Sequence, residues 1–337
     1  MRKIIASILH GAYGDYYEQA VCLKNLALKQ PETSIKLFAA SSHRLAELRV
    51  LDFSWAECFE LYTEIPSHAI DEFVQFQGHD RELRAEVFPK LPVAVREKIF
   101  SQKNRLPWQS LRSMLPLTAE QQIGLSDEGR RELLRVMRDN GIEPEIFQGP
   151  TIGFLWRYRA PGGAIRTSFQ SDAGRLVAKY SRVFRRLVDD YRCHVLICGM
   201  NVQRTPENMY RIDAKYPEYG LDLPETSVTY LKGLSWALEL EILSRCTVCI
   251  ANPSGFSEAL WIKRNCGVVL VDPPPDYLCK ALWHRVPLFG LNRPSSLISA
   301  IASRREAATL AQIKSEFARA TKRAGNCGIA KLQDIAS

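Results

Sequence analysis

Nowhere does this chain approach the ~20 consecutive apolar residues of a membrane-spanning helix. Arg2 and Lys3 precede an apolar run, but His10 and Gly11 cut it short, so no signal peptide is expected either. Asp-x-Asp does not occur, which removes the usual acidic anchor for a nucleotide-bound divalent metal, and no metal is expected. Gly-x-Gly-x-x-Gly is missing after both candidate first strands, which argues against a dinucleotide oxidoreductase. No finger, RNP-like or KH-like pattern accompanies the basic residues, so nucleic acid is not an expected partner. Repeats, heptads and low-complexity stretches are absent too. Cys246-Thr247-Val248-Cys249 has redox or zinc spacing, yet no second pair or histidine partner stands near it. The nine cysteines, an odd number, lie mostly in apolar segments and read as reduced, buried thiols of a cytoplasmic protein.

What is present is a globular composition, 46% hydrophobic and 24% charged. At 337 residues, two domains of ~150 residues each are expected. The first half reads as strand Lys3 to Leu9, helix Tyr16 to Leu28, strand Ser34 to Ala39 and helix His43 to Leu48. That alternation predicts a parallel sheet with helices on its faces. Residues 69–117 read as a helical, proline-punctuated excursion. A helix capped by Ser126 and closed by Asn140-Gly141 follows, then a linker from Pro144 to Pro150. A second α/β unit starts with the strand Thr151 to Trp156. It continues through a helix Asp172 to Tyr191, strand His194 to Cys198, a short strand Val228 to Leu231, helix Trp236 to Ser244, strand Thr247 to Ala251, helix Phe256 to Arg264 and strand Gly267 to Val271. The expected architecture is therefore two Rossmann-like domains facing across a cleft, at 1–148 and 149–310, with a basic helical segment at 311–337. Ligands of such sheets bind at the carboxyl ends of the strands.

Two loops there carry chemistry. His10-Gly11-Ala12-Tyr13-Gly14-Asp15 ends the first strand. Gly11 and Gly14 allow positive φ and close approach to a ligand, with Gly11, Tyr13 and Gly14 shaping the loop. Asp15 reads either as the N-cap of the next helix or as a general base held at a rigid corner, with His10 as the rival base. In the second unit, Asn252-Pro253-Ser254-Gly255-Phe256-Ser257-Glu258 joins a strand to a helix. Its amides and the helix N-terminus suit an anion, and Glu258 can accept a bond from a sugar hydroxyl or serve only the helix dipole. Arg157 and Arg159, on one side of an extended segment, suit a diphosphate or form a surface ion-pair cluster. Trp236 and Glu239 either approach a base or ribose or pack in the core.

Both loops and the layout resemble the GT-B class of glycosyltransferases. Gly-x-x-Gly-Asp after the first strand most resembles the ADP-heptose:lipopolysaccharide heptosyltransferase family, in which the loop aspartate is the proposed base; here that is Asp15. The family's Asp-Ser-Gly at the donor nucleotide is matched by Pro253-Ser254-Gly255, with proline in place of the acid. Glu258 stands where small residues or His are usual. The Arg157/Arg159 segment is also similar to the donor-binding arginine segment of GDP-fucose-dependent fucosyltransferases. Retaining GT-B enzymes often carry two glutamates eight apart near this helix, and eight beyond Glu258 is Cys266.

The resemblance implies an inverting, metal-independent hexosyl- or heptosyltransferase without a cofactor. It would act in bacterial surface polysaccharide or lipopolysaccharide synthesis. Asn252, Ser254, Gly255, Phe256, Ser257, Glu258, Arg157 and Arg159 would hold a nucleotide-diphosphate sugar, and a glycan or glycolipid would be the acceptor. A sugar-nucleotide epimerase and a non-catalytic sugar-nucleotide-binding protein are the alternatives on the same fold. From Arg293 to Ser337 eight basic residues face three acids, so five of the eight net positive charges lie there. That segment is either a solvated helix face or a contact to an anionic membrane surface, which would make a cytoplasmic protein peripheral on the inner membrane.

Overall fold

A computed structural model of the protein describes residues 3–10, 13–39, 49–60, 70–76, 87–100, 105–106, 122–155, 184–198, 202–204, 210–212, 223–231, 234–251, 255–263, 266–270 and 315. They form an α/β structure built on two all-parallel sheets of four and five strands. The chain divides into two compact units, one mainly Met1–Arg131 and the other mainly Glu132–Trp283.

In the first unit, β1 (Lys3–Leu9) is followed by α1 (Tyr13–Lys29), β2 (Thr33–Ala39), β3 (Glu57–Glu60) and β4 (Glu72–Phe73), in sheet order β3-β2-β1-β4. Ala6, Ile8, Phe38 and Phe73 pack on one face with Val95 and Ile99 of α2 (Val93–Phe100). The apolar run of β1 has no polar alternation because both of its faces are covered, as is usual in a parallel sheet. Nearly every residue of α1 from Tyr16 to Leu23 is buried. Its outer side is covered by a loop: the Tyr17 hydroxyl donates to the Ile123 carbonyl at 3.3 Å, and Lys24 Nζ donates to the Gln122 carbonyl.

The segment 69–117 is helical at α2, as expected, but its described residues also contain strands. Its first strand, β4, joins the main sheet beside β1, and β5 (Gln75–Phe76) pairs with β6 (Arg105–Leu106). Two-residue strands carry no readable periodicity; burial of Phe73 and pairing with Ile5 and Ala6 decide this one. The expected helix at 43–48 lies outside the described residues.

Helix α3 (Asp127–Asp139) matches its sequence signals. Ser126 Oγ accepts the Gly129 amide at 3.0 Å, an N-cap bond worth ~1 kcal/mol. At the other end Gly141 takes φ 67°, while the Gly141 and Ile142 amides donate to the Arg138 and Met137 carbonyls. Those two bonds are the Schellman pattern, and the left-handed conformation is what requires glycine here.

The second unit holds β7 (Thr151–Leu155), β8 (His194–Cys198), β9 (Val202–Arg204), β10 (Tyr210–Ile212), β11 (Val228–Tyr230), α4 (Trp236–Arg245), β12 (Val248–Ala251), α5 (Gly255–Lys263) and β13 (Gly267–Leu270). Its sheet order is β11-β8-β7-β12-β13. The antiparallel pair β9 and β10 was not anticipated from sequence. Ile152, Phe154, Val195, Ile197, Val248 and Ile250 pack against Phe184, Leu187 and Val188 of helical residues 184–191. Phe154 and Phe184 meet edge to face at 4.9 Å, worth ~0.5–1.5 kcal/mol beyond area burial. The opposite face takes α4, for which Gly153 makes room: a Cβ there would lie 2.7 Å from Leu243 Cδ2. Right-handed crossovers explain the two faces, since connections running in opposite directions from β7 must carry their helices on opposite sides.

Candidate functional site

In each unit the strand order reverses beside the first strand. In the second unit the chain builds outward from β7 through β8 to β11, then crosses to β12 and β13 on the other side. Strands β7 and β12 are hydrogen-bonded neighbours, and Leu155 is paired with Ala251 at their last residues. The segment leaving Leu155 leads to Arg157 and Arg159, and the one leaving Ala251 leads to Asn252 and Ser254. Both therefore start from one edge of one sheet, ~5 Å apart, the separation of adjacent strands. In open parallel sheets this is the position of the ligand-binding crevice, where the flanking helices pack on opposite faces. Arg157, Arg159, Asn252 and Ser254 themselves lie outside the described residues.

Beyond β12, α5 starts at Gly255, one residue before the expected Phe256. Phe256 is buried and meets the Trp236 ring edge to face at 5.9 Å. Ser257 is fully buried, and Glu258 occupies the first turn. Trp236 opens α4, whose N-cap Ser235 Oγ accepts the Leu238 amide at 3.4 Å. The ring contact thus ties the N-terminal turns of α4 and α5 together. Glu239, one turn into α4, is buried.

In the first unit, β1 is the strand at the reversal, flanked by β2 and β4. Helix α1 starts at Tyr13, three residues before the expected Tyr16, so Gly14 is helical and buried, and Asp15 is the third helical residue rather than the N-cap. A glycine in a helix costs ~1 kcal/mol, which burial of the α1 face overrides. Asp15 keeps its place in the first turn, where an acid is favoured by the positive end of the helix. Gly11 lies outside the described residues, and of Tyr13 only the helical backbone is described. His10 is buried, with Nδ1 3.0 Å from the Ile8 carbonyl, so Nδ1 carries the proton in that contact.

Sequence reading passed over Gln19. Its side chain is fully buried and Nε2 donates to the His10 carbonyl at 3.0 Å, while Oε1 has no partner. Such an orphaned oxygen costs ~1–3 kcal/mol. The sequence carries no signal for it, since Gln19 stands directly after Glu18 and reads as one more polar residue of α1. Also unforeseen is a buried ion cluster that links α4 to α5. Glu241 bridges Arg245 at 2.8 Å and Lys263, and all three are largely buried. Burial raises the Glu241 pKa, but the charges of Lys263 and Arg245 outweigh it and hold the carboxyl below its ordinary range.

The seven described cysteines are free. Burial pushes the Cys249 thiol well up, and Cys266, Cys246 and Glu239 add to the shift. Cys249 is accordingly a protonated packing group beside the buried Cys246 at the α4–β12 junction; thiolates, not thiols, bind metal. Among the described residues no cluster of three His, Cys, Asp or Glu side chains is placed to hold a metal. No described helix is long and apolar enough to cross a membrane, and the basic segment 311–337, Ser315 apart, lies outside the described residues.

No family model and no curated protein matches the sequence. Solved structures to which the chain is similar include a glycosyl transferase of family 9 from Veillonella parvula, at 13% identity over 80% of this chain and 81% of that one, with a TM-score of 0.45. The heptosyltransferase WaaC of E. coli with ADP-2-deoxy-2-fluoro heptose matches at 11% identity over 81% of this chain and 90% of that one, with a TM-score of 0.42. A protein of Listeria monocytogenes assigned as a UDP-N-acetylglucosamine 2-epimerase matches at 11% identity over 82% of each chain, with a TM-score of 0.42.

Proposed function

We propose that the protein is a glycosyltransferase moving a sugar from a nucleotide-diphosphate donor to a hydroxyl of a glycan or glycolipid acceptor. The reaction inverts the anomeric carbon and uses no metal. Asp15 takes the acceptor hydroxyl proton as that oxygen bonds to the anomeric carbon. The bond from the anomeric carbon to the diphosphate breaks, and the nucleoside diphosphate leaves with the electron pair. Its developing charge is met by Arg157, Arg159 and the amides of the Asn252–Gly255 loop, with Phe256, Ser257 and Glu258 in the following turn. The first unit carries the acceptor side and the second the donor side, and residues 311–337 rest on an anionic membrane surface.

One observation carries this reading. Leu155 and Ala251 are paired at the reversal of the second sheet, so the arginine segment and the Ser-Gly segment begin side by side. That is where an open parallel sheet binds nucleotides.

Thermal shift with EDTA present, against ADP-, GDP-, UDP-, dTDP- and CMP-linked sugars and the free nucleotides, tests it. A rise in Tm with one nucleotide class that survives EDTA is expected, and it names the donor. No rise with any of them removes the transferase reading.

A further inference from the structure

Just beyond β1, a side chain reaches across to hold the main chain. The ladder between β1 and β2 ends with the pair Leu9–Ala39, one residue before His10. The His10 carbonyl is then taken by the Gln19 amide, reaching across from α1 at 3.0 Å. Gln19 is fully buried, and its other polar atom, Oε1, has no partner. A leucine of the same size would leave no orphaned oxygen, so the bond to His10 is what the amide supplies. Asp15 and Gln19 are four apart in α1 and so lie on the same face, one turn from each other.

We infer that Gln19 is a positioning residue for the base. Resting on the transferase reading above, its amide pins the strand end, sets the rotation of α1 about its axis and thereby fixes where Asp15 stands at the carboxyl edge of the sheet. Gln19 touches no substrate; it acts through the turn it holds. The cost of losing that hold is a misplaced base, for which ~100-fold in kcat is the expected scale.

Two variants test this, Gln19→Leu and Gln19→Glu, beside Asp15→Asn. The first readout is amide hydrogen exchange of the peptide spanning residues 10–16, which needs no substrate. The second is release of nucleoside diphosphate from whichever nucleotide sugar the thermal-shift panel selects. Gln19→Leu is expected to speed exchange in 10–16 but not in the β1 core. It should lower kcat ~100-fold while leaving the KM for the donor, which binds on the other unit, unchanged. Gln19→Glu has the right shape but can donate only when protonated, so its activity should recover as pH falls toward 5, a profile the wild type lacks. If Gln19→Leu does not fold, the pH profile of Gln19→Glu decides alone.

Unchanged exchange in 10–16, or unchanged kcat with Asp15→Asn inactive, overturns the role of Gln19 and leaves the transferase reading standing. Full activity of Asp15→Asn overturns both, because Gln19 would then have no base to place.

Discussion

Leu155 and Ala251 are paired as the last residues of two parallel strands that lie 96 residues apart in the chain. Everything proposed for the donor side follows from that register. A shift of one residue would turn Ile250 and its neighbours from the layer of residues 184–191 to the α4 layer, so the hydrophobic pattern of β12 locks it. The strand starts reinforce it: the Thr151 and Thr247 amides each donate to the other's hydroxyl at 3.0 Å.

Donor binding and chemistry should separate by unit. Arg157→Ala and Arg159→Ala together are expected to weaken nucleoside diphosphate binding about 10- to 100-fold, since a hydrogen bond to a charged group is worth ~1.5–3 kcal/mol. Asp15→Ala should leave that affinity intact and lower kcat by ~10²–10⁴. Calorimetric titration beside turnover measures both, and loss of donor affinity in Asp15→Ala would contradict the assignment.

Two glycines are expected to resist alanine. In Gly153→Ala the new Cβ meets Leu243 Cδ2 at 2.7 Å, Cys246 Sγ at 3.3 Å and Cys249 Sγ at 3.4 Å. Overpacking of this kind costs ~1–3 kcal/mol. Gly129→Ala would overlap the main-chain oxygen of Val50, which cannot swing aside as a side chain can. Alanine gains up to ~1 kcal/mol in a helix, and here the clash should outweigh that gain. Urea unfolding gives the sign in each case, and a stabilised Gly129→Ala would show the Val50 segment to be free to move.

The buried ion cluster predicts strong non-additivity. Glu241→Gln strands Lys263, whose side chain is 4% exposed, and should cost ~3–5 kcal/mol. Glu241→Leu combined with Lys263→Met removes both charges, so its cost should fall well below the sum of the single changes. The wild type also gains a pH signature from Glu241. Its pKa is lowered on folding, so the stabilisation is present above the ordinary value of 4.5 and is lost as pH falls below it. The stability difference between wild type and Glu241→Gln, followed from pH 7 to pH 3, should shrink over that range.

His194 places a second pH dependence higher on the scale. Burial lowers its pKa from 6.5, opposed by a hydrogen bond that the ring donates to the Thr226 main-chain carbonyl, and Nε2 lies 2.9 Å from Thr229 Oγ. The unfolded chain therefore takes up a proton first as pH falls below 6.5, and stability drops until the folded form is protonated as well. His194→Gln should remove this slope between pH 6.5 and pH 5 while keeping a partner for Thr229. Parallel wild-type and variant curves over that interval would show that His194 contributes nothing there.

Much of the fold was legible locally. Lys3–Leu9 and His194–Cys198 are strands over the residues their apolar runs indicate. Ser126 and Asn140-Gly141 bound α3 as their chemistry requires. The start of α1 was misread because Gly14-Asp15 looks like a turn and a cap. Burial of the helix carries it back to Tyr13. Strand β4 was invisible because two residues have no period, and β3 because Glu57 and Glu60 give it polar ends.

By itself the sequence determined which segments become strands and helices, since 2- and 3.6-residue periods and caps act within a few residues of one another. It also determined which residue types stand just beyond the strand ends. Only the tertiary structure decided that β7 lies beside β12, that Gln19 reaches the His10 carbonyl, and that Lys263 answers Glu241 on the neighbouring helix. Those partners are set by crossover handedness and by burial on both faces of a sheet, which act between segments far apart in the chain.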